Sequence, residues 1–333
     1  MKELIDPGLS NSSPPASVSA LIERLETEIV GQRGLLTKLV IALIAGGHVL
    51  VEGVPGLAKT RAVRALARAL DLPFRRIQFT PDLLPADLTG TQIYLPATGT
   101  FEARPGPIVT SILLADEINR APAKVQSALL EAMQEGQVTI GDVSITLPDP
   151  FWVMATQNPI EHEGTYPLPE AQLDRFLLKL NVGYPDRAAE LEMLDMPTVV
   201  DGERSRGSDD KPPIFDASAI ASLRSEASRI HVASSIREYI VDLVRATRHP
   251  AQFGLDLAVM IELGAGPRAS IALLKVARAH ALVSGREHVV PHDVKSLARD
   301  VLRHRVLPSY EADAAGLDVE SILDQILNHI PVP

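Results

Sequence analysis

The chain has 333 residues, enough for a sizeable core and two domains, with 42 acidic against 32 basic side chains. Its formal net charge of −10 argues against a surface that grips nucleic acid chiefly through phosphates, although it leaves room for a local basic channel. Cysteine is absent, which excludes disulfides and thiolate metal sites and suits a reducing cytoplasm.

The sequence does not predict a membrane span. Its longest apolar run, residues 39–47, is nine residues long, well below the ~20 that a spanning helix needs. Residues 1–16 are rich in serine, asparagine and proline and lack the apolar core of a signal peptide. We therefore expect a flexible arm over 1–16 and a cytoplasmic protein.

The residues after the arm predict a strand, a loop and a helix in direct succession. Apolar side chains recur at helical spacing over 18–29 and again over 35–43. Residues 48–52 form a short apolar run that predicts a buried strand, GVPGLAKT follows at 53–60, and the spacing over 63–70 predicts a helix. This is the context that a phosphate-binding loop requires.

Apolar runs then alternate with helical patterns up to about residue 200. They predict strands at 75–79, 112–116, 151–156 and 176–182, and a helix at 124–135. Turn residues in the shorter alternating segments predict two hairpins, near 91–107 and 137–147. Strands that alternate with helices indicate an α/β fold, with a mostly parallel sheet covered on both faces.

A change of composition marks the end of this unit. Residues 201–213 are polar and charged and end in two prolines, which predicts a linker. Beyond it only helical periodicity is convincing. We therefore predict an α/β core over 17–200 and a small all-helical domain over 214–333.

The glycine-rich loop has the residue types that hold a phosphate. Unpaired backbone N–H groups at a helix start point at the anion, and Gly53 and Gly56 are expected to take positive φ and let the backbone approach. Lys59 would reach the β- and γ-phosphates, and the Thr60 hydroxyl would bind Mg²⁺. Ala58 stands where glycine is usual before the lysine. The alternative is a tight strand-to-helix turn that binds nothing.

Two carboxylates follow the predicted strand over 112–116. Asp116 would order the shell of Mg²⁺, partly through water, and Glu117 would polarise the attacking water. Alone, such a pair could equally be solvated carboxylates at a strand end. Together with the upstream loop, it predicts a hydrolase of nucleoside triphosphates.

The motifs together resemble those of the AAA+ ATPases, and specifically the MoxR family within the group that carries an insert in the second core helix. The matching segments are GVPGLAKT with its Ala58, ADEINRAP at 115–122, VMATQNP at 153–159 and EAQLDRF at 170–176. The resemblance extends from about residue 18 over nearly the whole chain. It implies a P-loop core with a parallel five-stranded sheet in the order 5-1-4-3-2 and a helical lid.

The resemblance also implies roles for three residues outside the loop. Asn158 is similar to the polar residue that senses the γ-phosphate; its alternative is a cap of the turn before Pro159. Arg175 resembles the arginine finger inserted into a neighbouring subunit's site, and its alternative is an ion pair with Asp174 or Glu170. Arg268 resembles the second-sensor arginine of the lid, although the family more often has serine where Gly266 stands.

Further residues complete the implied nucleotide site. The segment with Gln32 resembles the one that lies beside the adenine. Arg120 acts either across the subunit interface or in a structural salt bridge. The residues implied to bind nucleotide are Gln32, Gly53, Val54, Pro55, Gly56, Leu57, Ala58, Lys59, Thr60 and Asp116.

The family implies a ring, usually a hexamer, with ATP and Mg²⁺ at each subunit boundary and the hairpins towards the pore or client face. Its members act as chaperone-like ATPases that remodel or assemble protein complexes, often containing metals or cofactors, beside a protein with a von Willebrand factor A domain. The alternatives are a nucleic-acid motor or regulator, a metal-chelatase motor subunit, and a nucleotide-bound scaffold without turnover. The acidic balance and the lack of an added DNA-binding module argue against nucleic acid.

Overall fold

The computed structural model describes residues 16–54, 59–159, 164–195 and 213–333. The arm expected over 1–16 lies outside these ranges except for Ala16, which begins the first helix instead of ending the arm. The linker expected over 201–213 also lies outside them, except for its last residue. Among the described helices, none is long and apolar enough to cross a membrane.

The part of the chain before residue 196 contains helices and strands in alternation. They are α1 (Ala16–Glu28), α2 (Arg33–Ile44), β1 (Val49–Gly53), α3 (Lys59–Ala69), β2 (Phe74–Gln78), α4 (Pro85–Thr89), β3 (Gly90–Leu95), β4 (Thr100–Pro105), β5 (Ile112–Asp116), α5 (Ala123–Glu135), β6 (Gln137–Ile140), β7 (Val143–Thr146), β8 (Trp152–Gln157), α6 (Glu170–Leu173), β9 (Leu178–Val182) and α7 (Arg187–Asp195).

The part after residue 212 is mainly helical. Its elements are α8 (Ala217–Arg229), α9 (Ser234–Arg248), β10 (Ile261–Leu263), α10 (Pro267–Val283), α11 (Pro291–Leu302), β11 (Leu307–Pro308), α12 (Tyr310–Ala314) and α13 (Val319–His329).

Five parallel strands form the central sheet, in the order β2-β5-β8-β1-β9. Counted along the chain among these five and read from the β9 edge, the order is 5-1-4-3-2, which confirms the order that the resemblance implies. Apolar runs such as β5, in which every residue is buried, suit a sheet covered on both faces.

The two faces of the sheet carry separate apolar clusters, because successive side chains of a strand point to opposite faces. Val49 and Val51 of β1 belong to the cluster that includes α1, α2 and α3. Leu50, between them, belongs to the cluster with Phe79 and the buried face of α5. The sheet is therefore enclosed by helices, and its strand ends are the places where polar chemistry can be displayed.

The two segments with hairpin patterns form antiparallel ladders. One joins β3 to β4, from the pair Gly90–Pro105 to Leu95–Thr100, and the other joins β6 to β7. In the first ladder, Tyr94 and Phe101 lie side by side with ring centroids 5.2 Å apart, and both are exposed.

In the lid, α10 packs against α8, α9 and α11, and also against α2 of the core. The lid adds one feature to the expected helices, a short antiparallel ladder between β10 and β11. Strands of three and two residues are too short to give an alternating pattern in the sequence, and β11 contains a proline. The ladder therefore left no detectable signal.

Candidate nucleotide-binding site

The candidate site lies where three central strands end. Because the strands are parallel, the carboxyl ends of β1, β8 and β5 meet at one edge of the sheet, which is where ligands bind in open α/β folds. Gly53 and Asp116 are the last residues of β1 and β5, and Asn158 directly follows β8. Residues 55–58, predicted to cradle phosphate, lie outside the described ranges.

Gly53 corrects one expectation of the sequence. Its φ lies outside the left-handed region, so positive φ is not the reason for a glycine here. A Cβ at this position would lie 2.7 Å from the backbone oxygen of Val182 in the adjacent strand β9. Glycine is required because β1 and β9 approach closely where the loop begins. Val54, which follows, packs partly buried against the core.

Lys59, the first residue of α3, contacts the end of β1. Its Nζ donates a hydrogen bond of 2.6 Å to the Gly53 carbonyl. Burial lowers the pKa of Lys59 from its ordinary value, while the negative charges of Asp116, Glu117 and Glu52 oppose that shift. The predicted Mg²⁺ ligand Asp116 and the predicted base Glu117 therefore both favour the charged form of Lys59. Thr60 follows in the first turn of α3 and is half-buried.

Asp116 is nearly buried, and both its oxygens are hydrogen-bonded. Oδ1 accepts a hydrogen bond of 2.6 Å from the Thr156 hydroxyl on β8. Oδ2 accepts two from Arg76 on β2, at 3.0 Å from Nε and 2.7 Å from Nη2. The carboxylate is thus held between its two neighbouring strands.

Glu117 adopts a left-handed conformation, with φ 56° and ψ 51°, directly after β5. Such a backbone is uncommon and costly for a residue with a side chain, and residues held in it tend to cluster at functional sites. Here the Glu117 amide donates 2.8 Å to the Thr156 hydroxyl. The Glu117 carboxylate accepts from Gln78 at 2.6 Å and from Arg120 at 3.0 Å. One threonine therefore anchors both acidic residues, and the Arg120 contact is an ion pair within the chain.

Asn158 and Gln32 lie at the ends of two elements of the core. Asn158 is 6% exposed and follows the strand that lies between β1 and β5. Gln32 is half-buried and is the N-terminal cap residue of α2, which precedes β1.

Arg175 and Arg268 bind groups other than the two carboxylates at the end of β5. Arg175 donates 2.8 Å to the Leu130 carbonyl of α5 and lines a cavity with Glu131, Gln134 and Gln172. The Asp174 carboxylate, one of the alternative partners for Arg175, pairs instead with Arg268 at 3.3 Å and with Arg305 at 2.7 Å.

Sequence reasoning missed Arg76, Gln78, Thr156 and Arg305. Arg76 and Gln78 are two residues apart on a predicted strand and so share a face, which was a usable signal only once the strand order was known. Thr156 is a hydroxyl within an apolar strand, a weak signal in the sequence. Arg305 left no signal in the sequence, because its contacts with the core are with a segment more than a hundred residues away.

A parallel sheet in the order 5-1-4-3-2, with the segment GVPGLAKT starting at the last residue of β1 and a mainly helical part after β9, defines a P-loop core of the AAA+ class. The family model described as the ATPase family associated with various cellular activities (AAA) matches residues 48–178, and that of the AAA lid domain matches 256–326.

Individual proteins extend these matches over nearly the whole chain. Chaperone MoxR1 of Mycobacterium tuberculosis is 44% identical over 97% of this chain and 87% of its own length. YeaC of Bacillus subtilis is 47% identical over 94% of this chain and 93% of its own. A crystal structure of a candidate ATPase from Cytophaga hutchinsonii matches with a TM-score of 0.86 and 45% identity over 95% of each chain. The chain belongs to the MoxR family of AAA+ ATPases.

The site residues fit the metal that this family uses with its nucleotide. The donors at hand, the Asp116 carboxylate and the Thr60 hydroxyl, are oxygens, which Mg²⁺ prefers. Within the described residues there is no group of three or more His, Cys, Asp or Glu that could hold a metal ion by itself.

Proposed function

We propose that this chain hydrolyses ATP with Mg²⁺ and acts as a ring-forming, chaperone-like ATPase in the cytoplasm. The observation that carries the proposal is the position of Lys59, Asp116 and Glu117 at the carboxyl ends of the parallel strands: Lys59 binds the last carbonyl of β1, Asp116 ends β5 and Glu117 follows it. Family membership supports nucleotide binding. The name of Chaperone MoxR1 supports the chaperone-like role.

In this proposal each residue of the sheet edge has one task. Lys59 binds the β- and γ-phosphates, and Thr60 and Asp116 hold Mg²⁺, which neutralises developing charge on the phosphates. Glu117 takes the proton of the attacking water, for which its position just past a strand end and its two fixed hydrogen bonds orient it. Asn158 orients the water or the γ-phosphate, and Gln32 lies beside the adenine.

The proposed ring places each ATP between two chains, usually six in all. The resemblance of EAQLDRF carries the proposal that Arg175 is the finger in a neighbour's site, and the alternative partner Asp174 is already paired with Arg268 and Arg305. Arg268 lies in the first turn of α10 of the lid and would report the nucleotide state to the lid. The proposed partners are a protein with a von Willebrand factor A domain and client protein complexes, often containing metals or cofactors.

The first experiment tests catalysis with Glu117→Gln. The variant should bind Mg·ATP like the unaltered chain and lose about 10²–10⁴-fold in the rate of phosphate release, the usual contribution of a general base. Lys59→Ala serves as the control that loses binding itself. Normal turnover by Glu117→Gln would remove Glu117 as the base. Affinity capture with Glu117→Gln in ATP then identifies the partner and client.

The second experiment tests whether two chains share a site. Arg175→Ala should retain nucleotide binding and lose most phosphate release, since an arginine finger is worth about 10³–10⁵ in rate. Mixed with Lys59→Ala, it should recover activity, because the sites that combine an intact loop with a neighbour's intact finger are complete. Mass measurement by light scattering with Mg·ATP gives the number of chains. A monomer with full activity contradicts the shared site.

A further inference from the structure

Arg76 binds one of the two carboxylate oxygens of Asp116, the residue proposed to hold Mg²⁺. Two of its guanidinium nitrogens donate to the same oxygen, Oδ2, and the other oxygen is bound by Thr156. The Asp116 side chain is only 12% exposed, so its charge is largely withdrawn from water. A buried carboxylate needs a compensating charge, and Arg76 provides it.

A divalent cation and a guanidinium are poor neighbours on one carboxylate, because like charges repel and compete for the same lone pairs. Arg76 fills both acceptor positions of Oδ2, so a Mg²⁺ bound to this oxygen, directly or through water, must displace Arg76 from at least one of them. Thr156 is uncharged and can stay, since its hydroxyl contacts the other oxygen. Arg76 is the group that has to move.

Arg76 is placed so that it can withdraw easily. Its side chain is 46% exposed and reaches the site from β2, the edge strand of the sheet. Its Nη2 also lies 3.1 Å from the amide oxygen of Gln78 on the same face of β2. When the guanidinium leaves Asp116, it can keep its hydrogen bond to Gln78 and becomes hydrated. The charge of Asp116 is then balanced by Mg²⁺, so neither group is left buried without a partner.

We propose that Arg76 is the resident counter-ion of Asp116, which neutralises this carboxylate in the absence of metal and is displaced when Mg²⁺ enters with nucleotide. The inference rests on the proposed function, because it takes Asp116 as the ligand of Mg²⁺. Arg76 is then a positioning residue that sets the Mg²⁺ concentration at which the site fills and keeps the carboxylate in place until then.

The test is the Mg²⁺ dependence of binding of a fluorescent, non-hydrolysable ATP analogue, which reads out binding rather than turnover. Arg76→Gln should reach half-saturation at an Mg²⁺ concentration about two- to ten-fold lower than the unaltered chain, since a competing cation has gone. Arg76→Lys, which keeps the charge, should restore the unaltered value to within about two-fold. Arg76→Ala should shift in the same direction as Arg76→Gln.

Arg75→Gln is the matched control. Arg75 is the preceding residue of the same strand, is exposed, and points to the opposite face, and its substitution changes the net charge equally. It should leave the Mg²⁺ dependence unchanged. In an Asp116→Asn background, Arg76→Gln should have no further effect, because the carboxylate it neutralises is absent.

Half-saturation that is unchanged or raised in both Arg76→Gln and Arg76→Ala overturns the proposal, as does an equal shift in Arg75→Gln. Failure of the proposed function looks different. In that case the unaltered chain itself binds the analogue without any dependence on Mg²⁺ or Lys59, or does not bind it.

Discussion

Among single residues, Gly53 shows how the loop is attached to the sheet. Gly53 pairs with Val182 of β9, and the β9 backbone fills the space that a Cβ would need. The residue at which the phosphate loop begins is thus selected by contact with a neighbouring strand. Both the strand pairing and the loop depend on this one position.

We expect Gly53→Ala to lower the free energy of unfolding by about 1–3 kcal/mol, the usual cost of overpacking, because the added methyl pushes against backbone rather than a flexible side chain. Urea unfolding monitored by circular dichroism measures it. Gly183→Ala is the control, since Gly183 follows β9 and a Cβ there meets nothing within 4 Å. Equal effects of the two substitutions would contradict the close-approach argument.

Among single residues, the sequence predicts Lys59, Asp116 and Glu117 but not the side chains that hydrogen-bond to Asp116. Lys59, Asp116 and Glu117 stand in motifs whose spacing along the chain is itself the signal. Arg76 and Thr156 reach Asp116 from strands on either side of β5. Their contribution depends on which strands are neighbours, and no local pattern records that.

Among elements, His48 joins three parts of the core. It precedes β1, its Nε2 donates 3.2 Å to the Met133 carbonyl of α5, and its Nδ1 accepts 3.1 Å from the Val153 amide of β8. Burial lowers the pKa of His48 from 6.5 to about 4; the Met133 hydrogen bond raises it and Arg224 lowers it further. The ring is therefore neutral in the folded protein at neutral pH.

This predicts a loss of stability in mild acid. The folded-state pKa lies below the unfolded one, so the contribution of His48 is fully present above pH 6.5 and is lost as the unfolded chain takes up a proton between pH 6.5 and about 4. Between pH 8 and 5 the expected loss from His48 is about 2 kcal/mol. Urea unfolding at both pH values measures it, and His48→Gln should reduce the difference by that amount, while buried His304 leaves its own loss in place. The same slope in both proteins would contradict it.

Element positions follow from the sequence where a pattern is long enough. The strand predicted over 75–79 is β2 at Phe74–Gln78, and the helix predicted over 124–135 is α5 at Ala123–Glu135. The β10–β11 ladder in the lid is too short for periodicity to reveal. The order of the central strands came from the family resemblance, since periodicity locates strands without saying which of them are neighbours.

On the scale of the whole molecule, two lid residues hold the core just before β9. Arg305, with a side chain 4% exposed, binds the Asp174 carboxylate and donates to the backbone oxygens of Asp174, Phe176 and Leu177. His304 lies 3.1 Å from the Phe176 oxygen, and burial lowers its pKa well below the ordinary value. Arg175, the proposed finger, lies within the segment 174–177, whose other residues bind Arg305 or His304 of the lid.

We expect Arg305→Ala to lower the free energy of unfolding by about 2–4 kcal/mol, somewhat below the full cost of breaking a buried pair because Asp174 is 28% exposed. Arg299→Ala is the control: Arg299 pairs with Asp324 inside the lid and is 49% exposed. It should cost less than about 1 kcal/mol. Denaturant unfolding compares them, and similar costs would argue against a special role of Arg305 in joining lid to core.

The acceptors that this lid contact uses are largely main-chain oxygens, which every residue type possesses. Side chains at 176 and 177 can therefore vary in related proteins without removing the atoms to which the lid attaches. The parts of the attachment that substitution can remove are the side chains of Asp174, Arg268, His304 and Arg305, so evolutionary change in how firmly the lid is held should be concentrated at those four positions.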